Sequence, residues 1–155
     1  MNELRIQVDD LSCPSVHALL AEHLTEMRAG SPPESVHALG LDELRDPSIT
    51  MLTAWTGDLL LGCGALRDLG DGHGELKSMR TTVAARGRGI GAAVLGDLLA
   101  LASEKGMTRV SLETGAEGRF EPARRLYAQH GFVECGPFGA YQFDPLSVFM
   151  TRELG

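Results

Sequence analysis

The hexapeptide Arg86-Gly87-Arg88-Gly89-Ile90-Gly91 runs without a break into an apolar periodic stretch that extends to Leu101. Few strand-to-helix turns carry three glycines and two arginines. That combination suits the holding of a pyrophosphate on bare backbone N–H groups while cations neutralise it. Ile90 is expected to face the core, with Gly91 and Ala92 beginning a helix whose unpaired N–H groups point at the anion. The plainer alternative, in which the glycines only permit close packing and the arginines are solvated, stays open at this stage. Spacing weakens the case for two other phosphate loops. No Gly-Lys-Ser or Gly-Lys-Thr is present for a GxxxxGK[ST] loop. A dinucleotide fingerprint would read GxGxxG after an early strand, whereas this chain has GxGxG past its midpoint.

At 155 residues the chain is expected to form one domain spanning 1–155, large enough to bury about two-thirds of its unfolded surface. Its 14 basic and 21 acidic side chains give a net charge of −7, which argues against nucleic acid or anionic lipid as a partner. An acidic surface favours a cationic partner such as an amine, although such charge also serves solubility. Cys13, Cys63 and Cys135 are odd in number and widely spaced, with no CxxC pair, so free buried thiols and no metal site are expected. The N-terminus lacks a signal-peptide h-region and no apolar run approaches the roughly 20 residues of a bilayer crossing. The expected location is cytoplasmic.

Hydrophobic periodicity orders the chain. Residues 3 to 9 read as a strand, and Ser12 to Pro14 start a helix with its stripe at Val16, Leu19, Leu20, His23, Leu24 and Met27. Gly30 to Ser35 is a turn-rich, mobile break, followed by a short helix over Leu41 to Arg45. Strands are expected at 49–55 and 58–66 around the Thr56-Gly57 turn, then at 75–82 leading into the glycine loop. The third helix presents Ile90, Val94, Leu98, Leu101 and Ala102, and Gly106 closes it. A strand at 109–114, a helix at 121–130 with Ala123, Leu126, Tyr127 and His130 on one face, and strands at 131–135 and 147–152 complete the series. The result is an α/β fold in which a mixed sheet carries helices on both faces.

Two separated motifs point to a family. Arg86-x-x-Gly89-x-Gly91 resembles the Q/R-x-x-G-x-G/A signature of the GNAT superfamily of N-acetyltransferases. Ala123-x-x-Leu126-Tyr127-x-x-x-Gly131-Phe132 resembles its second landmark, a late helix followed by a strand that begins Gly-Phe. With the order of strands and helices, the resemblance covers residues 3 to 153. It implies a mixed, mostly antiparallel central sheet and acetyl-coenzyme A as co-substrate. In the family the loop grips the pyrophosphate, which assigns that role to Arg86, Gly87, Arg88, Gly89, Ile90, Gly91 and Ala92. Met79, Arg80 and Thr81 fall where the pantetheine strand lies, contacting the cofactor through main-chain groups. The stretch from Pro137-Phe138-Gly139 through Tyr141 to Asp144-Pro145 resembles a bacterial subgroup of small acetyltransferases. Its Phe138 and Tyr141 could line an acceptor pocket or simply anchor a loop.

Acetyl transfer to an amine needs a neutral nucleophile, and an alkylammonium with a pKa of about 10.4 must first lose a proton. Glu75 stands 11 positions before Arg86, where histone-acetyltransferase-like members carry a base glutamate. Glu113 is the second choice, and Glu26 or His37 could act through a water. Tyr127 occupies the place of the tyrosine that protonates, or hydrogen-bonds, the departing thiolate. Phe120 replaces the asparagine often found seven residues before that tyrosine, and Arg124 is a candidate substitute contact. The expected activity is therefore acetyl-coenzyme A dependent N-acetylation of a small-molecule, amino-acid-like amine by direct attack, with no metal. A homodimer is the assembly that the resemblance suggests. A coenzyme-A-binding regulatory module without turnover, and a protein or peptide N-acetyltransferase, remain the alternatives.

Overall fold

A computed structural model describes residues 3–29 and 39–154, so His37 and the break at residues 30–35 lie outside the described residues. The described chain builds one seven-stranded sheet from β1 (Leu4–Asp9), β2 (Ile49–Thr56), β3 (Leu59–Asp68), β4 (His73–Thr81), β5 (Arg109–Gly115), β6 (Val133–Cys135) and β7 (Ser147–Glu153). Spatial order is β1-β2-β3-β4-β5-β7-β6. Every ladder is antiparallel except β4 with β5. That parallel pair needs a crossover, which α3 (Ile90–Glu104) provides. The remaining helices are α1 (Pro14–Arg28), α2 (Leu41–Leu44) and α4 (Glu121–Gln129). This is the mixed, mostly antiparallel sheet expected from the sequence, with boundaries shifted by one or two residues; the strand expected at 131 begins at Val133.

Each face of the sheet has its own core. On one, Val94, Leu95, Leu98 and Ala102 of α3 meet Leu66, Leu76, Val110 and Leu112 of the strands. On the other, Val16, Leu19 and Leu20 of α1 and Leu44 of α2 cover Met51, Trp55, Cys63 and Ala65. Periodicity located both stripes but undercounted α3, whose Leu95 and Leu99 are also buried. On α4 Tyr127 is buried, and Ala123 and Leu126 pack partly buried against the same core. All three cysteines are free, as expected, but only Cys63 is buried.

The close approach of α3 to β3 depends on Gly64. A Cβ there would lie 2.5 Å from Met79 Sδ, 2.8 Å from Leu98 Cδ1 and 3.0 Å from Val94 Cγ1. Gly64→Leu is therefore expected to destabilise the fold by about 1–3 kcal/mol or more through overpacking. Thermal unfolding checks this, with a fall in Tm of at least about 3 °C at this chain length.

Candidate active site

The parallel ladder between β4 and β5 is short. It runs from His73 opposite Arg109 to Leu76 opposite Leu112 and then stops. β4 continues to Thr81 along β3, while β5 continues to Gly115 along β7. The two central strands thus part, and residues 77–81 and 113–115 border a wedge in the middle of the sheet. Main-chain groups along its sides lack a ladder partner there, which suits an extended ligand that pairs as a strand would. Met79, Arg80 and Thr81 lie on the β4 side.

Beyond β4 the chain makes one 3₁₀ turn, Val83–Ala85, and enters the glycine loop. Gly87 and Gly89 have φ of +78° and +79°, a region that side chains disfavour, and nothing lies within 4 Å of a Cβ placed on either. Gly89 is the N-cap of α3 and supplies no side-chain cap. The first bond inside the helix is Ala93 N–H to the Gly89 carbonyl, which leaves the amides of Ile90, Gly91 and Ala92 unused by the helix. Ile90 is buried, as expected. A Cβ on Gly91 would press on Leu126 Cδ2 at 3.3 Å, so glycine keeps the gap between α3 and α4 open. Arg86 and Arg88 are exposed, and among the described residues neither is engaged in a hydrogen bond or ion pair. Bare donors, uncommitted guanidiniums and open space together fit a diphosphate.

The Arg80 side chain takes no part in that loop. It is nearly buried against α1, with Nη2 2.5 Å from Glu22 and Nη1 paired to Glu26. Glu26, named above as a fallback base, is instead tied to this guanidinium, whose hydrogen bond holds its carboxyl below the usual range. Arg124 is likewise committed: its Nη1 donates to the carbonyls of Gly115 at 2.5 Å and Glu117 at 3.0 Å. It braces the end of β5 and is not poised to replace the missing asparagine. Phe120 packs its ring over Gly115, where a Cβ would meet it at 2.0 Å.

Glu75 and Tyr127 sit on different layers. Tyr127 comes from α4, is 6% exposed, and meets Phe132 edge-on at 5.9 Å between ring centres. Burial, followed by the charge of Glu113, raises its pKa far above that of free tyrosine, so it remains a neutral O–H. Glu113, across the wedge from β4, accepts from Ser147 Oγ at 2.7 Å. Glu75 is only 3% exposed. Its Oε2 accepts from Tyr141 Oη at 2.5 Å and lies 3.4 Å from Lys77 Nζ, which itself donates to Tyr141 Oη at 2.7 Å. Burial first, then Glu75, raises the pKa of Tyr141, which keeps it protonated and donating.

These three groups line a cleft of about 790 Å³ together with Arg67, Leu39, Leu69 and the loop from Phe138 to Asp144. Phe138 and Tyr141 therefore line a pocket, and their rings stack edge-on at 5.1 Å. Lys77 and Arg67 were not singled out in the sequence. Alternation along β4 from Glu75 could have found Lys77, and the register of β3 would have been needed for Arg67.

The comparisons agree with this architecture. The acetyltransferase (GNAT) family model matches residues 16–132. The chain is 50% identical over 151 residues to the uncharacterised N-acetyltransferase YsnE of Bacillus subtilis, covering 97% of this chain and 100% of that protein. It is 40% identical over 125 residues to the IAA acetyltransferase of Azospirillum brasilense, 79% of this chain and 80% of that one. Among solved structures, a proposed acyl-CoA N-acyltransferase of Klebsiella pneumoniae superposes with a TM-score of 0.77 at 27% identity over 98% of both chains. The chain belongs to the GNAT acetyltransferase family. By family it is an acetyltransferase.

His23 adds a pH dependence where α1 meets β4. Among the described residues its buried Nδ1 has no hydrogen-bond partner, and burial together with the Arg80 charge lowers its pKa to about 4. The unfolded chain, with an ordinary histidine near 6.5, binds this proton first, so stability is lost as pH falls from about 6.5 towards 4. The loss attributable to His23 is expected to be about 2 kcal/mol, discounted for partial exposure. Denaturant titrations of wild type and His23→Gln at pH 7 and pH 4.5 check it, the variant losing less on acidification.

Proposed function

We propose that the chain transfers the acetyl group of acetyl-coenzyme A to a primary amine of a small, amino-acid-like acceptor by direct attack. One observation carries this reading: a nearly buried carboxylate, Glu75, opens onto a cleft on one side of the wedge, while the uncapped α3 turn with its two free guanidiniums flanks the other end. In this reading the loop of Arg86, Gly87, Arg88, Gly89, Ile90, Gly91 and Ala92 holds the diphosphate. Main-chain groups of Met79, Arg80 and Thr81 hold the pantetheine arm. The thioester supplies an activated carbonyl at the point of the wedge.

Glu75 takes the proton from the acceptor ammonium. Its Oε2 is held by Tyr141 and Lys77, which fixes the carboxylate and leaves Oε1 for the amine. Tyr127 serves the departing sulfur. Because a thiol loses its proton near 8.5 and burial makes this phenol a much weaker acid, Tyr127 stabilises the thiolate by donating a hydrogen bond and keeps its own proton. Glu113 is the weaker candidate for the base, since it does not line the cleft that Glu75 opens onto. A cleft of about 790 Å³ matches the volume of small-molecule sites, which favours a small acceptor over a peptide.

Three outcomes are expected. Charge reversal at Arg86 or Arg88 weakens acetyl-coenzyme A binding about tenfold or more by calorimetry, since each charge-assisted contact contributes about 1.5–3 kcal/mol; the same change at Arg5 does not. Glu75→Gln lowers turnover about 10²–10⁴-fold at neutral pH with partial recovery at high pH, as loss of a general base demands. Tyr127→Phe lowers it about 10- to 100-fold, the scale of one hydrogen bond to a charged atom. Thiol release in an assay limited by chemistry reads both, and full activity of Glu75→Gln across pH would move the base to Glu113 or to water.

A further inference from the structure

We propose that Arg67 binds the carboxylate of the acceptor, so that the substrate is an amino acid or a close amino carboxylate whose amine is presented to Glu75. This rests on the reading of Glu75 as the base of an acetyl transfer to an amine.

Arg67 and Glu75 are register partners across β3 and β4 and line the same cleft. Directly opposed residues place their Cβ atoms about 4.5–5.5 Å apart, so the two side chains rise side by side from one face of the sheet. They do not pair with each other: Glu75 turns to Tyr141 and Lys77. Among the described residues no hydrogen bond or ion pair engages the Arg67 guanidinium.

The neighbouring acids are occupied locally. Glu43 Oε1 accepts the Gly40 amide at 3.3 Å, Asp46 Oδ1 accepts the amide and hydroxyl of Ser48, and Asp144 Oδ1 accepts the Leu146 amide at 2.8 Å. Lys77 is the other cation on the cleft wall, and it is held by Tyr141 and Glu75. Among the described residues that line the cleft, Arg67 is the cation without a hydrogen-bond or ion-pair partner, although its charge also acts on Asp46 and Tyr141. A guanidinium presents a planar fork that matches a carboxylate with two parallel hydrogen bonds.

An amine at Glu75 and a carboxylate at the adjacent cross-strand position must be separated by only a few bonds, which is the arrangement of an amino acid. Leu39, Leu69 and Phe138 form the apolar part of the same wall, so an apolar side chain is the expected third feature. A simple amine would leave Arg67 facing an unmatched cleft.

The test uses the purified full chain, acetyl-coenzyme A and thiol release. Leucine and phenylalanine are each compared with their own amide and with the corresponding decarboxylated amine, for wild type, Arg67→Gln and Arg67→Lys. Wild type is expected to favour the free acid over its amide in kcat/KM by about ten- to a hundredfold, the scale of a charge-assisted pair. The amide has the less basic amine, so protonation works against this preference. In Arg67→Gln the ratio should collapse towards one, mainly through KM for the acid, and Arg67→Lys should keep part of it. Acetyl-coenzyme A affinity and thermal unfolding confirm that each variant is folded. Turnover of amines without preference for the carboxylate, or a preference that survives Arg67→Gln, overturns the anchor and leaves amine acetylation standing. Absence of turnover on every amine, with acetyl-coenzyme A still bound, overturns both.

Discussion

Everything distinctive about this fold follows from the point at which β4 and β5 stop pairing. A parallel ladder in the centre of a sheet is ordinarily buried and continuous. Here it ends after Leu76 and Leu112, and each strand keeps only its outer neighbour. Unpaired main-chain groups in a sheet interior are costly unless something else satisfies them. The wedge is therefore a demand for a ligand with strand-like hydrogen bonding as well as a space for one. The irregular register between Cys63 and Ala65, and the positive φ of 54° at Ser78, show the local backbone distortion that accompanies this divergence.

The surrounding parts hold the wedge open from both layers. On one side α3 packs tightly over Gly64, so its N-terminus is fixed relative to the end of β4. On the other, Arg80 ties α1 to β4 through Glu22 and Glu26, while on the α3 side Arg124 ties the start of α4 to the end of β5. The two arginines brace opposite sides of the same opening. Neither contact lies in the glycine loop, and each gives a cation a purely positional task beside a site that needs other cations free.

The sequence was most informative where chemistry demands backbone of a special kind. The glycine loop announced bare backbone N–H groups at a helix start, and the structure puts Gly87 and Gly89 there in the left-handed region that other residues enter at a cost. The order of elements was legible for a similar reason, since Pro14, Gly57 and Gly106 punctuate the periodicity. What could not be read was pairing. Arg67 meets Glu75 only through the register of β3 on β4, and Arg80 meets Glu22 only because α1 crosses that strand. These contacts span up to 58 positions in sequence and leave no local signature. Arg124 shows the converse error. Its location near the cofactor motif suggested a ligand contact, but two backbone carbonyls at the end of β5 claim it.

Net charge illustrates why a global quantity says little about a site. The chain carries −7, which on its own favours a cationic partner approaching from solution. At short range both signs are present: Lys77 and Arg67 line the cleft together with Glu75, Glu43 and Asp144, and Arg86 and Arg88 stand at the α3 turn. Fields from exposed charges are screened within about 8–10 Å at ordinary ionic strength, whereas groups inside a cleft act on a ligand at contact distance. A cleft that presents both signs suits a ligand that carries both an amine and an anion, whatever the net charge of the exterior. Nearly buried, Glu75 takes its hydrogen bonds from the protein. Tyr141 and Lys77 supply, at 2.5 Å and 3.4 Å, the stabilisation that water would otherwise give.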